Sequence, residues 1–347
     1  MLVERDECRS TGEYDAARSD SDTRDRGGRA TVTQDLRASP FGEKQGRFHW
    51  LYRLYEYLTL PFTIHFILSS ARIRPEYKLN AWRRFKLGMR MYRNTHRIWT
   101  GVSFRGHLAM AVKLFELPSA QQGVVVECGC FRGGTTANLS LACQVVGREL
   151  YVYDSFEGLP PPQAGDKYAS SKGTGFLKAG LEQVKEHVAA FGAPEVCTYV
   201  QGWFADTTPH HEPPIALLFL DVDYQASLTD CILNLWPRLI ERGYCFTDEY
   251  VFNDYCALFW SEKFWSKHFD RTPPGLMGSG TGISLGGFYL GGTFGMTTDD
   301  AFSRDSSIAY TRKNWSGYWD YYPDERASDE VEADLADEPD RRARRAL

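Results

Sequence analysis

Short apolar runs alternate with helical stretches through the middle of the chain. The apolar runs predict β-strands at Gly123–Glu127, Leu150–Asp154, Val196–Gln201, Ala216–Val222 and Tyr244–Asp248. Helices are predicted between them at Thr135–Val146, Phe176–Phe191 and Ser227–Ile240. Strands that alternate with helices of this length predict an α/β fold with a doubly wound, mostly parallel sheet. Ligands of such sheets bind beyond the carboxyl ends of the strands.

The segments on either side of this region have other patterns. Residues 1–46 are polar with mixed charge, and we predict that they are disordered. Residues 47–120 are predicted to form a helical extension that caps the acceptor site. Its helices are indicated by apolar residues at helical spacing from Trp50 to Leu58 and by the stretch Gly106–Leu117.

The chain after the last predicted strand is less regular. Aromatic residues between Phe259 and Phe269 predict a helical cap, and Gly278–Gly292 predicts an antiparallel hairpin that finishes the sheet. We therefore place the main domain at residues 121–295. Residues 296–347 form a C-terminal segment whose charged tail is predicted to be disordered.

Composition narrows the class of protein. A chain of 347 residues can bury an α/β core and still carry a substrate-binding extension. A net charge of −5 argues against a general nucleic-acid binder. The eight cysteines form no CxxC pair and lie mostly in apolar segments, which predicts buried thiols in a reducing cytoplasm. The apolar run Leu58–Leu68 is too short to span a bilayer, so we expect no transmembrane segment.

The segment Tyr77–Arg97 is strongly basic and contains three spaced aromatic residues. We interpret it as a helix whose long cationic side chains cover apolar surface. Peripheral contact with membrane lipid, or with an acidic substrate, is the alternative. Among the histidines, we expect His210 and His211 to be exposed, and His107 to have a packing or capping role.

The unit Val124–Pro161 reads as a strand, a glycine-rich turn, a helix and a second strand that ends on Asp154. The turn is neither GxGxxG nor a P-loop, and Glu127 beside it would repel a pyrophosphate. A carboxylate suits an ammonium group instead, and Asp154 can accept hydrogen bonds from both hydroxyls of a ribose. This pattern favours S-adenosylmethionine over NAD or ATP.

Two later strands run directly into acids. Asp221 and Asp223 follow one strand, and Asp248 and Glu249 follow the next. Carboxylates crowded at one sheet edge repel one another unless a cation neutralises them, and oxygen ligands favour Mg²⁺, Ca²⁺ or Mn²⁺. The alternative is that Asp223 caps a helix and the other carboxylates are solvated.

Four motifs together resemble the macrocin O-methyltransferase family of class I methyltransferases, which act on sugar hydroxyls of antibiotics. They are ECGCFRGG, YVYDSFEGLPPP, FLDVDYQASLTD and FTDEY, and the resemblance spans about residues 120–255. It implies a Rossmann-like fold and S-adenosylmethionine as the methyl donor.

The resemblance also implies roles for individual residues. Glu127, Gly129 and Gly133 would border the methionine part of the cofactor, and Asp154, with Ser155 and Phe156 beside it, would bind the ribose. Gly202, Trp203 and Phe204 would surround the adenine. Asp221, also placed at the cofactor, would hold magnesium with Asp248 and Glu249, and Asp223 would be the general base. The family usually shows two aspartates where this chain has Asp248 and Glu249.

We therefore expect an O-methyltransferase, dependent on S-adenosylmethionine and Mg²⁺, that acts on a hydroxyl of a sugar or other small polar metabolite. We also expect a homo-oligomer. The rival hypotheses are a metal-independent N-methyltransferase on the same fold and a non-catalytic nucleoside-binding protein. The terminal regions look unlike the antibiotic enzymes, so the acceptor stays open.

Overall fold

A computed structural model of the protein describes residues 73–163, 166, 173–248, 250, 253–278, 283–285, 288–290 and 308–313, with isolated positions 54, 57, 58, 60 and 61. The predictions for residues 1–46 and for the charged tail lie outside these residues. So does most of the predicted amphipathic helix around Leu54. Glu249 is outside them as well.

The described helices are α1 (Ala81–Thr95), α2 (Phe104–Glu116), α3 (Gly134–Val146), α4 (Leu181–Phe191), α5 (Phe204–Thr207), α6 (Gln225–Leu235), α7 (Asn253–Cys256) and α8 (Glu262–Phe269). The described strands are β1 (Val124–Cys128), β2 (Leu150–Asp154), β3 (Cys197–Gln201), β4 (Ile215–Leu220), β5 (Leu239–Thr247), β6 (Met277–Gly278), β7 (Ile283–Leu285), β8 (Phe288–Leu290) and β9 (Ala309–Arg312). None of the described helices is long and apolar enough to cross a bilayer.

The main sheet has seven strands in the order β3-β2-β1-β4-β5-β9-β6. The first five are parallel, and β9 pairs antiparallel with both β5 and β6. The chain moves outward from β1 in one direction and from β4 in the other, so the strand order reverses between β1 and β4. This confirms the predicted doubly wound, mostly parallel fold, and it places the ligand crevice at the carboxyl ends of β1 and β4.

The strands at the centre of the sheet are apolar because both of their faces are covered. Every residue of β4 is buried, as expected for a central parallel strand. On one face, Met91, Leu108 and Phe115 of the helical extension share a single apolar core with Val125 and Phe219 of the sheet. The extension is therefore part of the same hydrophobic core as the sheet.

A buried polar network joins the extension to α3. Asn94 of α1 donates to Asn138 Oδ1 at 3.0 Å, and the Asn138 amide donates to His107 Nδ1 at 2.8 Å. His107 Nε2 then donates to Thr135 Oγ1 at 3.0 Å, in the first turn of α3. Burial lowers the pKa of His107 to about 3, so the imidazole stays neutral. The predicted packing role of His107 is confirmed.

Cationic side chains in α1 and directly after it cover aromatic surface, as predicted. The Lys86 ammonium lies 5.7 Å from the ring centroid of Trp82, and the Arg97 guanidinium lies 5.4 Å from that of Phe191. Arg90 also donates to the carbonyl of Gly192 at 3.0 Å. These cations therefore pack onto the protein itself.

Other predictions need correction. The helix predicted at Phe176–Phe191 begins at Leu181, because the preceding residues form a turn that bonds to Leu159. Leu159 N donates to Phe176 O, and Gly175 N donates to Leu159 O, each at 2.8 Å. His210 is exposed as predicted, but the prediction for His211 is wrong. His211 is 2% exposed, and its Nδ1 is hydrogen-bonded to the Tyr153 hydroxyl at 2.8 Å.

The far end of the sheet also differs from the prediction. The glycine-rich segment does form a hairpin, β7–β8, but as a separate two-stranded sheet. The main sheet is finished by β6 and β9, and β9 lies beyond the predicted domain limit at residue 295. A strand of four residues gives too short an alternation for sequence patterning to detect. The thiols follow the prediction: Cys128, Cys130, Cys143, Cys231, Cys245 and Cys256 are buried, and Cys197 is half-buried.

Candidate functional site

The predicted site residues meet at one edge of the sheet. Glu127 is the penultimate residue of β1 and Asp154 is the last of β2. Gly202, Asp221 and Asp248 directly follow β3, β4 and β5. Since these five strands are parallel, all of these residues lie at their carboxyl ends, as the sequence predicted.

The glycine-rich turn between β1 and α3 passes very close to the end of β4. Gly129 has a φ of +86°, and a methyl group added to it would lie 1.8 Å from the carbonyl oxygen of Asp221. Asp221 N donates to Cys128 O at 2.9 Å, which fixes this approach. Gly133 caps α3 with a φ of +77°. Position 129 therefore requires glycine, because its φ is left-handed and because any side chain would collide with the carbonyl of Asp221.

The Asp154 carboxylate organises the glycine-rich turn and the residues that follow β2. Its Oδ2 accepts hydrogen bonds from the backbone N–H groups of Cys130 at 2.8 Å and Phe131 at 3.3 Å. Its Oδ1 accepts from Phe156 N at 2.8 Å. Phe131 and Phe156 have φ angles of 45° and 57°, which are uncommon for residues other than glycine. The carboxylate thus holds two strained residues in place.

The residues after Asp154 form a compact turn. Ser155 Oγ donates to Gly158 O at 2.9 Å and accepts from Glu157 N at 3.1 Å. The Phe156 side chain is only 3% exposed and packs in the main core. The side chains of both residues therefore serve the shape of the turn, and their position beside a ribose stays a prediction.

Glu127 is a fully buried acid whose carboxylate lacks a hydrogen-bond partner. Its exposure is 0%, and neither carboxylate oxygen has a partner among the described residues. Burial raises its pKa to about 8; the nearby Thr136 hydroxyl opposes the shift and the charge of Asp154 adds to it. A buried carboxylate is stable when a cation pairs with it, so this residue fits the ammonium group of S-adenosylmethionine.

Glu127→Gln is expected to remove a pH dependence of stability. The pKa rises from an ordinary value of 4.5 to about 8 on folding, so the folded protein binds the proton more tightly than the unfolded chain. Stability should therefore fall as pH rises from 4.5 to 8, by about 1.4 kcal/mol for each pKa unit. Above pH 8 the loss is complete. Urea unfolding of the wild type and of Glu127→Gln between pH 4.5 and pH 8 measures the difference in their free energies of unfolding.

The Glu182→Gln variant is the control, because it makes the same substitution at an exposed position of α4. If the wild-type and Glu127→Gln curves run parallel, Glu127 has an ordinary pKa and the cation-pairing argument fails.

The predicted adenine turn follows β3. Gly202 has a φ of +145°, and its N–H donates to Asp154 O at 3.0 Å, so the turn adjoins the ribose-side acid. The N–H groups of Asp206 and Thr207 each donate to Trp203 O at 3.0 Å and start α5. The Trp203 side chain is 36% exposed, while Phe204 packs partly into the core. Trp203 is therefore the aromatic side chain of this turn with an accessible ring.

The acids at the ends of β4 and β5 lie on adjacent strands. Asp248 N donates to Leu220 O at 2.9 Å, which sets Asp248 beside Asp221 in the backbone. Asp223 has a φ of 57° and is 9% exposed. Within the described part of the chain, no three His, Cys, Asp or Glu side chains come together in a way that could hold a metal ion. The predicted ligands Asp221 and Asp248 are thus neighbours, while the third, Glu249, lies outside the described residues.

The segment between α1 and α2 belongs to the helical extension that the sequence predicts to cap the acceptor site, but no sequence pattern singles out Gly101 within it. A methyl group added to Gly101 would lie 4.0 Å from Asp248 Oδ2, so this segment reaches the acidic edge. The contact joins positions far apart in the chain and leaves no local signal. Tyr224, directly after Asp223, is 1% exposed and packs against Leu159, which indicates a packing role.

Comparison with known proteins gives one family model that matches residues 113–271, described as macrocin O-methyltransferase (TylF). Over 140 residues the chain is 34% identical to the 8-demethyl-8-(2,3-dimethoxy-alpha-L-rhamnosyl)-tetracenomycin-C 4'-O-methyltransferase of Streptomyces olivaceus. Over 139 residues it is 32% identical to the demethyldecarbamoylnovobiocin O-methyltransferase of Streptomyces niveus. Each match covers 37% of this chain and 53% of the relative, so the chain spans about half the length of the curated relatives it matches.

Among solved structures, the O-methyltransferase NovP aligns with a TM-score of 0.47 and 20% identity, over 74% of this chain and 99% of that protein. The calicheamicin methyltransferase CalS11 aligns with a TM-score of 0.39 and 16% identity, over 74% and 92% of the two chains.

Proposed function

We propose, because residues 113–271 of this chain match the macrocin O-methyltransferase family model, that the protein transfers the methyl group of S-adenosylmethionine to a hydroxyl of a sugar or glycoside. The observation that carries the proposal is the close approach of Gly129 to Asp221. This contact brings the glycine-rich turn, which would bind the cofactor, directly against the acids at the end of β4, which would bind and deprotonate a hydroxyl acceptor. Both matched relatives are named as O-methyltransferases, and the name of one gives a rhamnosyl tetracenomycin as its acceptor.

The donor half of the site fits the cofactor group by group. Glu127 offers a buried, unpartnered carboxylate for the ammonium group. Asp154 lies at the end of β2, where it can accept from ribose hydroxyls while it holds the turn. Trp203 offers a partly exposed ring next to Asp154 for the adenine.

The acceptor half supplies a base. When bound, S-adenosylmethionine supplies a methyl carbon activated by its positive sulfur. Asp223 would accept the proton of the acceptor hydroxyl while the oxygen forms a bond to that carbon and the carbon–sulfur bond breaks. The products are the methyl ether, S-adenosylhomocysteine and the protonated carboxyl of Asp223. Asp223 has a left-handed backbone conformation and lies at the strand end, between β4 and α6.

Magnesium is part of the proposal. Asp221 and Asp248 offer oxygen donors on adjacent strand ends, and Glu249 follows directly in the sequence. Such donors suit a hard cation, which would favour the deprotonated form of an acceptor hydroxyl.

Removal of the metal is therefore expected to abolish methyl transfer. Treatment with EDTA should stop turnover, and Mg²⁺ added in excess should restore it, while affinity for S-adenosylhomocysteine changes little because Glu127 and Asp154 are not among the proposed ligands. Turnover by metal-free protein at the untreated rate would rule out the magnesium requirement and favour the metal-independent alternative.

The proposal as a whole is tested with cofactor labelled at its methyl group. The protein is incubated with a panel of rhamnosides and other glycosides, and the products are analysed by mass spectrometry and NMR. We expect the label on the oxygen of a hydroxyl group that a sugar ring carries. Label on a nitrogen, or no transfer to any hydroxylated acceptor by protein that binds S-adenosylhomocysteine, would contradict it.

A further inference from the structure

The connection between β2 and α4 holds Leu159 firmly in place. Gly158, just before it, has a φ of +85°, and a methyl group added there would lie 2.5 Å from the carbonyl oxygen of Phe176. Both backbone groups of Leu159 are bonded to the returning chain: its N–H donates to Phe176 O and its carbonyl accepts from Gly175 N, each at 2.8 Å. The backbone of Leu159 is therefore fixed, and its side chain starts from a fixed position.

The Leu159 side chain packs on Tyr224, the residue that precedes α6. Leu159 is 8% exposed and Tyr224 is 1% exposed, and they form a small apolar cluster that is separate from the main core. The same connection makes a second contact with this helix, because Asp166 Oδ1 accepts a hydrogen bond from the N–H of Ala226 at 3.2 Å. Ala226 is in the first turn of α6, which has no side-chain cap from Tyr224. Two contacts thus hold the start of α6 against this connection.

Tyr224 directly follows the proposed base, and the backbone at the base is strained. Tyr224 N donates to Val222 O at 2.5 Å, so Asp223 is the central residue of a three-residue turn. Its φ of 57° makes this the strained form of such a turn. A strained turn persists only where the surrounding structure determines it. On the helix side that structure is Tyr224, whose carbonyl accepts from Leu228 N at 2.9 Å and whose side chain packs on Leu159.

We propose that Leu159 is a positioning residue for the base: it holds Tyr224 in place and thereby the strained turn that presents Asp223 to the acceptor hydroxyl. This inference rests on the proposed function, in which Asp223 accepts the hydroxyl proton. It gives a role to the second half of the YVYDSFEGLPPP motif. Asp154 organises the glycine-rich turn, whereas Gly158 and Leu159 support the acceptor half of the site.

The test compares Leu159→Ala with the wild type in single-turnover methyl transfer, with saturating labelled cofactor and the glycoside of the panel that the wild type methylates fastest. Leu159→Ala is expected to lower the rate by about 10- to 100-fold, the effect of a displacement of about 1 Å at the reacting groups. Leu159→Val removes only one methylene group, so it disturbs the fold less and should lower the rate less. Affinity for S-adenosylhomocysteine should stay within about twofold, because Glu127 and Asp154 are untouched.

The same substitution in an Asp223→Asn background separates positioning of the base from general damage. If Leu159 acts through the carboxylate of Asp223, Leu159→Ala should change the residual rate by less than about twofold once that carboxylate is gone, because residues that act as a unit have non-additive effects. A loss of equal size in both backgrounds would overturn the inference. A wild-type rate in both Leu159→Ala and Leu159→Val would overturn it as well.

Leu79→Ala is the matched control, because Leu79 is 7% exposed and has no proposed role in the site. It removes the same atoms from a similarly buried position and should keep the wild-type rate; a loss as large as that of Leu159→Ala would contradict the inference. A loss of affinity for S-adenosylhomocysteine in Leu159→Ala, with an unchanged rate at saturating cofactor, would overturn it by placing Leu159 in the donor half. Failure of the wild type to methylate any glycoside of the panel would instead count against the proposed function.

Discussion

Asp154→Ala is expected to lower the affinity for S-adenosylhomocysteine by at least about 100-fold, because two or more hydrogen bonds to a charged group are lost at about 1.5–3 kcal/mol each. The variant loses the acceptor for the ribose hydroxyls. It also releases the N–H groups of Cys130 and Phe131, which the Asp154 carboxylate holds at 2.8 and 3.3 Å. Isothermal titration calorimetry measures the change.

The control for this prediction is Glu182→Ala, which removes an exposed acid of α4. A surface acid of this kind contributes little, so its affinity should match that of the wild type. If Asp154→Ala bound S-adenosylhomocysteine as tightly as the control does, Asp154 would have no role in cofactor binding.

Asp223→Asn is expected to reduce kcat by about 10²- to 10⁴-fold, the range for loss of a general base. Asparagine has the same shape and tolerates the left-handed backbone, where Asp223 has a φ of 57°. The amide cannot take up the hydroxyl proton. Cofactor binding should be unaffected, so single-turnover transfer of labelled methyl, measured with saturating cofactor, isolates the chemical step.

Asp270→Asn is a closely matched control, because Asp270 is an exposed aspartate with a φ of 53° at the end of α8. It carries the same substitution in the same backbone conformation, at a residue with no proposed role in the site. A kcat for Asp223→Asn equal to that of this control would show that another group accepts the proton.

The sheet and its ligand-binding edge could be predicted from the sequence because their determinants are local. A central parallel strand such as β4 is buried on both faces and reads as an unbroken apolar run. The polar residue that follows such a run marks the strand end, which is why Asp154 and Asp221 were placed correctly. Glycine in the β1–α3 turn likewise indicated a close approach of backbone, and the approach of Gly129 to Asp221 confirms it.

Features that depend on long-range contacts could not be predicted in this way. Strand β9 has four residues and is stabilised by pairing with β5, so its own pattern is uninformative. The burial of His211 follows from its bond to Tyr153 in a distant strand. Gly101 belongs to no motif, so the sequence does not predict that it lies close to Asp248.

Cofactor binding at this sheet edge is tested most directly by calorimetric titration of the wild-type protein with S-adenosylhomocysteine at several pH values. We expect saturable binding at one site per chain that tightens as pH rises towards 8, because Glu127 must lose its proton to pair with the ammonium group. The pH dependence should disappear in Glu127→Gln. Absence of binding by the wild-type protein at every pH would contradict the assignment of this sheet edge to S-adenosylmethionine.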